Sequence, residues 1–280
     1  MISFPNAKIN IGLNVVRKRE DGYHDIETVM VPVGWSEILE IVPSKIPDET
    51  KLIVSGRKVD CPAEKNLVFK ALREVEKRVG RALLVDIFLR KILPDGAGLG
   101  GGSADGAFMI KSLNDEFSLG LTVKDMENIA SKIGSDCPVF IRNVSMLATG
   151  RGEILEEVHL PLRNWKIIIV KPKESVSTAQ AYRGIVPKQP EVPLKSLIQL
   201  PVSEWKNSIY NDFENVVFKI YPSFKKIKNT LYDRGAVYSS MSGSGSAFYG
   251  LFEPGSDKLA DIVHYFERKG MTVKLTDIKI

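Results

Sequence analysis

Apolar and polar residues alternate in the first strand-like stretch of the chain. The apolar members occupy every second position, namely Ala7, Ile9, Ile11, Leu13 and Val15. A period of two predicts a β-strand with these residues on one face and with Lys8 and Asn10 side by side on the other. Two interpretations of that second face stay open: the solvent-exposed face of an edge strand, or a row of functional polar groups.

A turn and a second strand follow. Asp21 and Gly22 predict a tight turn, and Tyr23 and His24 open the next strand. An aromatic residue beside a histidine is more often structural than functional, so this pair alone predicts no site.

Strand and helix patterns alternate as far as residue 160. The predicted strands span residues 38–42, 52–54, 83–89, 144–148 and 154–160. One predicted helix spans residues 64–78, and Gly80 ends it as a C-terminal glycine. A second predicted helix is capped by Thr122 and runs to Ile133.

In the last third of the chain, the hydrophobic pattern predicts strands and helices in a defined order. A buried strand at 167–170 precedes helical segments, the last of which begins at Pro222 and ends at Gly235. Two strands, a helix and a strand complete the chain, at residues 237–241, 247–252, 257–269 and 271–275. The order β-α-β-β-α-β is that of a ferredoxin-like unit. Leu160-Pro161 is the predicted boundary between a domain of residues 1–160 and a domain of residues 161–280.

Composition narrows the classes of function. The 280 residues are 44% hydrophobic and 26% charged, with a net charge of +5. This mild positive charge suits an anionic ligand, but no dense basic stripe predicts a nucleic-acid partner. No signal region and no 18-residue apolar run occur, so we expect a cytoplasmic protein with no membrane partner. Two widely spaced cysteines, Cys61 and Cys137, predict neither a disulfide framework nor a zinc site.

A glycine-rich stretch separates a predicted strand from a predicted helix. It reads P-D-G-A-G-L-G-G-G-S-A-D-G-A from Pro94 to Ala107. Glycine permits the positive φ angles that turn successive N–H groups into a concave nest. We expect Ser103 to open the following helix, because serine is favoured at helix starts. Since helix N-termini bind anions, the stretch predicts a phosphate-binding loop.

Two nucleotide-binding motifs can be compared with this loop. It lacks the lysine of the Walker A motif. It contains G-x-G-x-x-G at Gly96, Gly98 and Gly101, as in dinucleotide-binding folds. That fold also needs a second strand ending in an acid about twenty residues on, and Glu116 has no Val/Ile-rich run before it. The dinucleotide interpretation is therefore weak.

A short turn reads G-S-D-C-P-V-F from Gly134 to Phe140. Asp136 in such a turn is ordinarily a cap or turn residue. Cys137 has no histidine nearby in sequence, so we expect a small buried residue rather than a nucleophile.

Six motifs in order resemble a known family of enzymes. They are A-K-I-N, D-G-Y-H, G-A-G-L-G-G-G-S-A-D, G-S-D-C-P-V-F, G-R-G-E and N-D-F-E, and M-S-G-S-G-S-A follows near the end. The chain resembles the GHMP kinase superfamily, and within it most closely the members that phosphorylate the 2-hydroxyl of 4-diphosphocytidyl-2-C-methyl-D-erythritol. The resemblance implies a two-domain α/β (α+β) fold with an N-terminal ribosomal-S5-domain-2-like domain, a C-terminal ferredoxin-like domain and an active site in the cleft between them.

The resemblance also implies roles for individual residues. Lys8 and Asp136 match the family's catalytic residues. The ATP-binding loop corresponds to Pro94, Asp95, Gly96, Ala97, Gly98, Leu99, Gly100, Gly101, Gly102, Ser103 and Ala104. Ser103 would also contact Mg²⁺, and ATP would be the co-substrate. The positions that match the cytidine end of the substrate are Asn10, Tyr23, His24, Thr178 and Tyr182.

Two positions depart from the family pattern. Ala104 replaces a second serine, so Ser103 alone would supply a hydroxyl there. Gly106 replaces a commoner alanine and should slightly weaken the helix start. Neither departure argues against the implied activity.

Other functions remain open. A GHMP kinase for a different small alcohol is one, although Tyr23, His24 and Tyr182 favour a pyrimidine substrate. An RNA- or nucleotide-binding module built on the ferredoxin-like half is another, and a dinucleotide oxidoreductase is the third. We expect small-molecule partners only, and a monomer or weak homodimer.

Overall fold

The structure of the chain is a computed structural model. It describes residues 1–44, 50–58 and 61–279. The strands are β1 (Ile2–Ser3), β2 (Asn6–Lys18), β3 (His24–Ser36), β4 (Ile38–Pro43), β5 (Lys51–Gly56), β6 (Val85–Lys91), β7 (Met146–Thr149), β8 (Ile154–Glu157), β9 (Lys166–Lys171), β10 (Tyr238–Met241), β11 (Phe248–Phe252) and β12 (Thr272–Asp277).

The α-helices vary widely in length. They are α1 (Leu67–Val79), α2 (Gly101–Glu116), α3 (Val123–Ile133), α4 (Val139–Arg142), α5 (Thr178–Arg183), α6 (Leu194–Leu197), α7 (Val202–Ser208), α8 (Phe213–Ile220), α9 (Pro222–Asp233) and α10 (Leu259–Glu267). Among the helices of the described residues, none is both long and apolar enough to cross a bilayer.

Two compact units divide the chain. The first compact unit contains Met1–Ala7, Trp35–Asp95 and Gly100–Asn143. The second contains Lys8–Gly34, Gly96–Leu99 and Val144–Ile280. Both units are discontinuous along the chain, whereas the predicted domains are continuous. The boundary at residue 160 stays a prediction.

The first compact unit packs helices on one face of a sheet. Its strands lie in the order β1-β4-β6-β5, with β5 parallel to β6 and the other pairs antiparallel. The parallel pair is joined through α1, as a crossover connection requires. One apolar cluster joins the inner face of this sheet to α1, α2 and α3, and it includes Ile41, Leu72, Ile87, Ile110 and Ile129.

Helix caps in the first unit agree with the sequence. The Asn66 side chain accepts a hydrogen bond from the Val68 N–H at the start of α1, and Gly80 ends that helix with a φ of 71°. Thr122 and Asp125 form a reciprocal capping box at the start of α3. Polar side chains at N-caps satisfy N–H groups that have no partner inside the helix. The predicted end of α1 at Gly80 and the predicted cap of α3 at Thr122 are both confirmed.

The second compact unit contains the predicted ferredoxin-like sheet. Its strands lie in the order β10-β11-β9-β12, and all pairs are antiparallel. Read along the chain this is the split β-α-β-β-α-β arrangement, so that prediction is confirmed. The cluster beneath the sheet contains Ile168, Phe224, Phe248 and Phe266.

A second sheet in this unit has the strand order β2-β3-β7-β8. The alternation around Lys8 predicts β2 correctly, and β2 lies at the edge of this sheet, but the interpretation of its polar face as solvent-exposed is wrong. Lys8 is 3% exposed and Asn10 is 2% exposed. The face opposite the apolar residues is therefore buried as well, and its polar groups need partners there.

Candidate active site

Lys8 and Asn10 begin a row of polar groups inside the β2-β3 pair. The Lys8 Nζ donates to Asn10 Oδ1 at 2.6 Å, and Asn10 Nδ2 donates to Thr28 Oγ1 at 3.0 Å. The Thr28 hydroxyl donates to the Gly12 carbonyl at 2.6 Å. This chain of hydrogen bonds fixes the orientation of the Lys8 ammonium. Thr28 is a member of the row that the sequence analysis missed, because only the pairing of β2 with β3 brings it there.

The first part of the glycine-rich loop lies against the same strand. The Lys8 N–H donates to the Leu99 carbonyl at 2.9 Å. Gly96 and Gly98 both have positive φ angles, 58° and 73°. These are conformations that L side chains rarely adopt, so glycine is required for the path of the loop.

The S-G-S-G-S turn between β10 and β11 packs against this part of the loop. The Ser242 hydroxyl donates to the Gly98 carbonyl at 2.8 Å, and the Ala247 N–H donates to the Ala97 carbonyl at 3.1 Å. A Cβ on Gly243 would lie 3.5 Å from Asn10 Oδ1. Three motifs that are far apart in sequence therefore meet within the second compact unit.

The N-D-F-E motif supports that turn. Asn211 Nδ2 donates to the carbonyls of Met241 and Gly243, both at 2.9 Å. Glu214 Oε1 accepts the Met241 N–H at 2.8 Å. These contacts hold the backbone at the start of the turn, on either side of Ser242. The motif carries no predicted role of its own, because only the fold brings it to this turn.

The second part of the loop belongs to the first compact unit and leads into α2. The prediction that Ser103 opens this helix is wrong. Gly100 is the N-cap with a φ of 72°, and α2 begins at Gly101. The left-handed conformation available to Gly100 lets it serve as the N-cap, three residues before Ser103. Ser103 therefore lies in the first turn, where helix N–H groups lack intrahelical partners and favour an anion.

Ser103 and the turn that carries Asp136 lie in the same unit. A hydrogen bond joins Ser103 to the thiol of Cys137, and burial raises the pKa of that thiol to about 12. Cys137 is thus a neutral buried residue, as expected, and not a nucleophile. Asp136 is half-buried in the turn before α4. Its action together with Lys8 stays a prediction.

The predicted cytidine-binding residues form an aromatic group in the second compact unit. The rings of His24 and Tyr182 stack with centroids 4.9 Å apart and an angle of 26°. Phe213 meets the Tyr182 ring edge-on at 4.8 Å. Burial, with a smaller effect of Lys18, lowers the pKa of His24 below its usual value. The imidazole is therefore neutral at pH 7, with one donor and one acceptor nitrogen.

The remaining predicted residues flank this group. Thr178 Oγ1 lies 3.1 Å from Ser244 Oγ in the S-G-S-G-S turn. Tyr23 is exposed, and the guanidinium carbon of Arg151 lies 5.2 Å from its ring centroid. Phe213 and Arg151 were not predicted, since only the fold brings them to these rings.

The described residues contain no group of three or more His, Cys, Asp and Glu side chains arranged to hold a metal ion. Mg²⁺ usually binds through substrate phosphates, water and only one or two protein oxygens. Ser103 as a Mg²⁺ ligand stays a prediction.

Comparison with known proteins identifies the family. A model of the GHMP kinases N terminal domain matches residues 66–143, and a model of the GHMP kinases C terminal matches residues 194–269. A 4-diphosphocytidyl-2-C-methyl-D-erythritol kinase of Parabacteroides distasonis is 53% identical over 253 residues, which cover 90% of this chain and 92% of the relative. A relative of the same name in Bacteroides fragilis is 47% identical, with 91% and 93% covered.

Solved structures agree with these matches. The crystal structure of a 4-(cytidine 5'-diphospho)-2C-methyl-D-erythritol kinase has a TM-score of 0.85 and 27% identity, with 100% of both chains covered. A homoserine kinase of Cytophaga hutchinsonii, at 21% identity and a TM-score of 0.74 with 98% and 94% covered, shows the same fold. The predicted fold class is thus confirmed. The chain belongs to the GHMP kinases, in the branch that contains these 4-diphosphocytidyl-2-C-methyl-D-erythritol kinases.

Proposed function

We propose that the chain transfers the γ-phosphate of ATP to the 2-hydroxyl of 4-diphosphocytidyl-2-C-methyl-D-erythritol, a step in the methylerythritol phosphate route to isoprenoid precursors. The observation that carries this proposal is the meeting of Lys8, Asn10, Gly98 and Ser242 in one compact unit. These residues come from three motifs of the family. Relatives that share about half of the residues support the choice of substrate.

The chemistry requires positioning and charge stabilisation more than covalent catalysis. N–H groups of the glycine-rich loop and of the first turn of α2 would hold the phosphates. The Lys8 ammonium, oriented by Asn10, would offset charge on the transferring group. Asp136 would accept or orient the proton of the attacking hydroxyl. Mg²⁺ bound to the phosphates, with Ser103 nearby, would supply further positive charge.

The aromatic group would select the cytidine end. Tyr182 offers a flat ring on which a pyrimidine can stack, and neutral His24 offers a donor and an acceptor for the edge of the base. Thr178 and Tyr23 flank these rings. A GHMP kinase for a small alcohol without a base would have no use for this group.

The first experiment is phosphorylation of 4-diphosphocytidyl-2-C-methyl-D-erythritol by ATP, with and without Mg²⁺. We expect Mg²⁺-dependent formation of the 2-phosphate. Asp136→Asn should lower kcat by roughly 10²–10⁴ while ATP still binds. The matched control is Asp115→Asn, at an exposed aspartate near the end of α2, and it should retain the activity of the wild type. Near-normal turnover by Asp136→Asn would contradict the catalytic assignment.

A second pair of variants tests recognition of the base. Tyr182→Ala should raise KM for the cytidine substrate about 5- to 150-fold, since base stacking on an aromatic ring contributes about 1–3 kcal/mol. Tyr182→Phe keeps the ring and should stay near the wild type. If Tyr182→Ala instead weakened ATP binding, the residue would belong to the other end of the reaction.

A further inference from the structure

A buried cluster of charged side chains lies beside the glycine-rich loop, within the first compact unit. The Lys91 Nζ lies 2.5 Å from Glu37 Oε1 and 2.6 Å from Asp105 Oδ2. Glu37 is fully buried, Asp105 is 2% exposed and Lys91 is 9% exposed. We refer to Glu37, Lys91 and Asp105 as the flank cluster. None of the three has a role in the function proposed above.

The flank cluster touches both ends of the loop. Lys91 is the last residue of β6, which enters the loop, and Asp105 is in the second turn of α2, which leaves it. Glu37 Oε2 accepts the backbone N–H groups of Ile92 and of Leu93, the latter at 3.0 Å. These are the last two residues before Pro94.

The residue at which the chain leaves the loop, Gly101, also lies close to Glu37. A Cβ on Gly101 would lie 3.4 Å from Glu37 Oε1 and 3.3 Å from the Leu93 side chain. The entry strand, the start of α2 and the connection between β3 and β4 are therefore joined by one ammonium and two carboxylates.

We propose that Glu37, Lys91 and Asp105 are positioning residues of the phosphate loop, which set the separation and orientation of its two ends. They touch no substrate; they act through the N–H groups that would receive the phosphates of ATP. A displacement of such donors by a fraction of an ångström weakens phosphate binding strongly, because hydrogen bonds fall off steeply with geometry. The inference rests on the proposed ATP site.

The three charges of the cluster are balanced against burial. Burial raises the pKa of Asp105, and the Lys91 ammonium opposes this. Burial lowers the pKa of Lys91, but attraction to Asp105 and Glu37 outweighs it and leaves that pKa raised. Removal of either carboxylate charge leaves the buried ammonium less well compensated, and the two ends of the loop lose a fixed contact.

Calorimetric titration with ATP alone tests the proposal without the acceptor alcohol. Asp105→Asn and Glu37→Gln keep the side-chain volumes and remove the charges. We expect each to raise the Kd for ATP about tenfold at pH 8, with a KM for the alcohol within about twofold of the wild type. The matched control is Val75→Ala, in the buried face of α1. It lowers thermal stability through the same core, and its Kd for ATP should be unchanged.

The contrast between ATP and the alcohol separates positioning from general loss of stability. A purely structural loss would weaken the binding of both substrates, whereas displaced phosphate donors weaken the binding of ATP. An unchanged Kd for ATP in Asp105→Asn and Glu37→Gln, or an equal loss of affinity in Val75→Ala, would overturn the proposal.

The design also separates the two proposals. A wild type that binds ATP but does not phosphorylate the alcohol would overturn the proposed substrate and leave the flank cluster under test. A wild type that binds no ATP would overturn both.

Discussion

At the scale of single residues, Gly98 shows how closely two loops approach within the second compact unit. A Cβ at this position would come well under 3.0 Å from the Ser242 carbonyl oxygen, and 2.9 Å from its carbonyl carbon. Gly96 differs: its φ is also positive, but the nearest atoms, those of Ser175, lie 3.8 Å away. Gly98 is therefore constrained by conformation and by space, and Gly96 by conformation alone.

This difference predicts unequal effects of two matched substitutions. Gly96→Ala should lower the free energy of unfolding by about 1 kcal/mol, the cost of a left-handed residue with a side chain. Gly98→Ala should lower it by about 2–4 kcal/mol, because backbone atoms must also move apart. Urea unfolding measures both values. Equal losses of unfolding free energy in the two variants would contradict the steric part of the prediction, because the glycine-rich loop and the S-G-S-G-S turn would then move apart at no energetic cost.

The residue scale also shows what the sequence could predict of the site. Lys8, Asp136 and the loop glycines can be selected as candidates from the sequence because each lies in a short motif. Thr28 and Phe213 cannot, since their roles depend on contacts that the pairing of strands and the packing of helices create. The error at Ser103 has another cause: serine is the commoner N-cap, but Gly100 adopts the left-handed conformation that starts α2.

At the scale of elements, the close packing of α2 against α1 and α3 explains why residue 106 is a glycine. The sequence analysis expected this glycine only to weaken the helix. A Cβ there would lie 2.9 Å from Ile133 Cδ1 of α3 and 3.3 Å from the Leu67 carbonyl oxygen of α1. The small residue thus allows α2 to approach both helices closely. Gly102, one turn earlier, would meet only Leu67 Cδ1 at 3.8 Å.

Gly106→Ala should therefore destabilise the protein despite the better helix propensity of alanine. The expected net loss is up to about 2 kcal/mol, since overpacking costs about 1–3 kcal/mol and alanine returns about 1 kcal/mol. Gly102→Ala is the control and should be neutral or slightly stabilising. Ile133→Val removes the Cδ1 atom that the new methyl group would meet. In the double variant the loss of unfolding free energy should therefore be less than the sum of the losses in the two single variants. An increase in Tm for Gly106→Ala would disprove the close contact.

The cap of α3 predicts an acid-sensitive contribution to stability. Hydrogen bonds from Thr122 and Arg78 lower the pKa of Asp125 to about 2, from an ordinary value of 3.8. The folded state therefore favours the carboxylate, and this contribution is present above about pH 4 and is lost as the pH falls towards 2. Thr122→Ala should lower Tm by roughly 2–4 °C at neutral pH.

The matching measurement is the difference in Tm between the wild type and Thr122→Ala as a function of pH. It should shrink as the pH falls from about 4 to about 2, because protonated Asp125 no longer benefits from the cap. A difference that stayed constant over this range would show that the capping box does not form in solution.

At the scale of the whole molecule, the topology excludes the dinucleotide interpretation of the glycine motif. That fold places a parallel strand after the helix that follows the glycines. Here α2 is followed by α3 and α4, and within the described residues the next strand is β7. The order of elements in the last third of the chain predicted the ferredoxin-like sheet, because that order admits few arrangements. The discontinuous first and second compact units could not be predicted in this way, since they depend on contacts between distant segments.

Two backbone amides of β2 test the predicted boundary at residue 160. The Leu13 N–H donates to the Tyr210 carbonyl at 2.9 Å, and the Val15 N–H donates to Asp212 Oδ2 at 2.7 Å. Both acceptors lie beyond the boundary. In a fragment of residues 1–160 these two amides should exchange rapidly with solvent. The Ile26 N–H bonds to the Gly150 carbonyl inside the fragment and serves as the control. Protected Leu13 and Val15 amides in the fragment would support the boundary.

The same long-range bonds have a consequence during synthesis on the ribosome. Val15 and Asp212 are separated by 197 positions, which at about 5–20 residues per second corresponds to roughly 10–40 s of translation. Throughout that time Leu13, Val15 and Ile26, which are buried in the second unit, lack Phe213 of their cluster, and for most of it they also lack Ile168. The apolar residues of the β2-β3 hairpin are therefore exposed in the nascent chain during this time, and a holding chaperone would protect them.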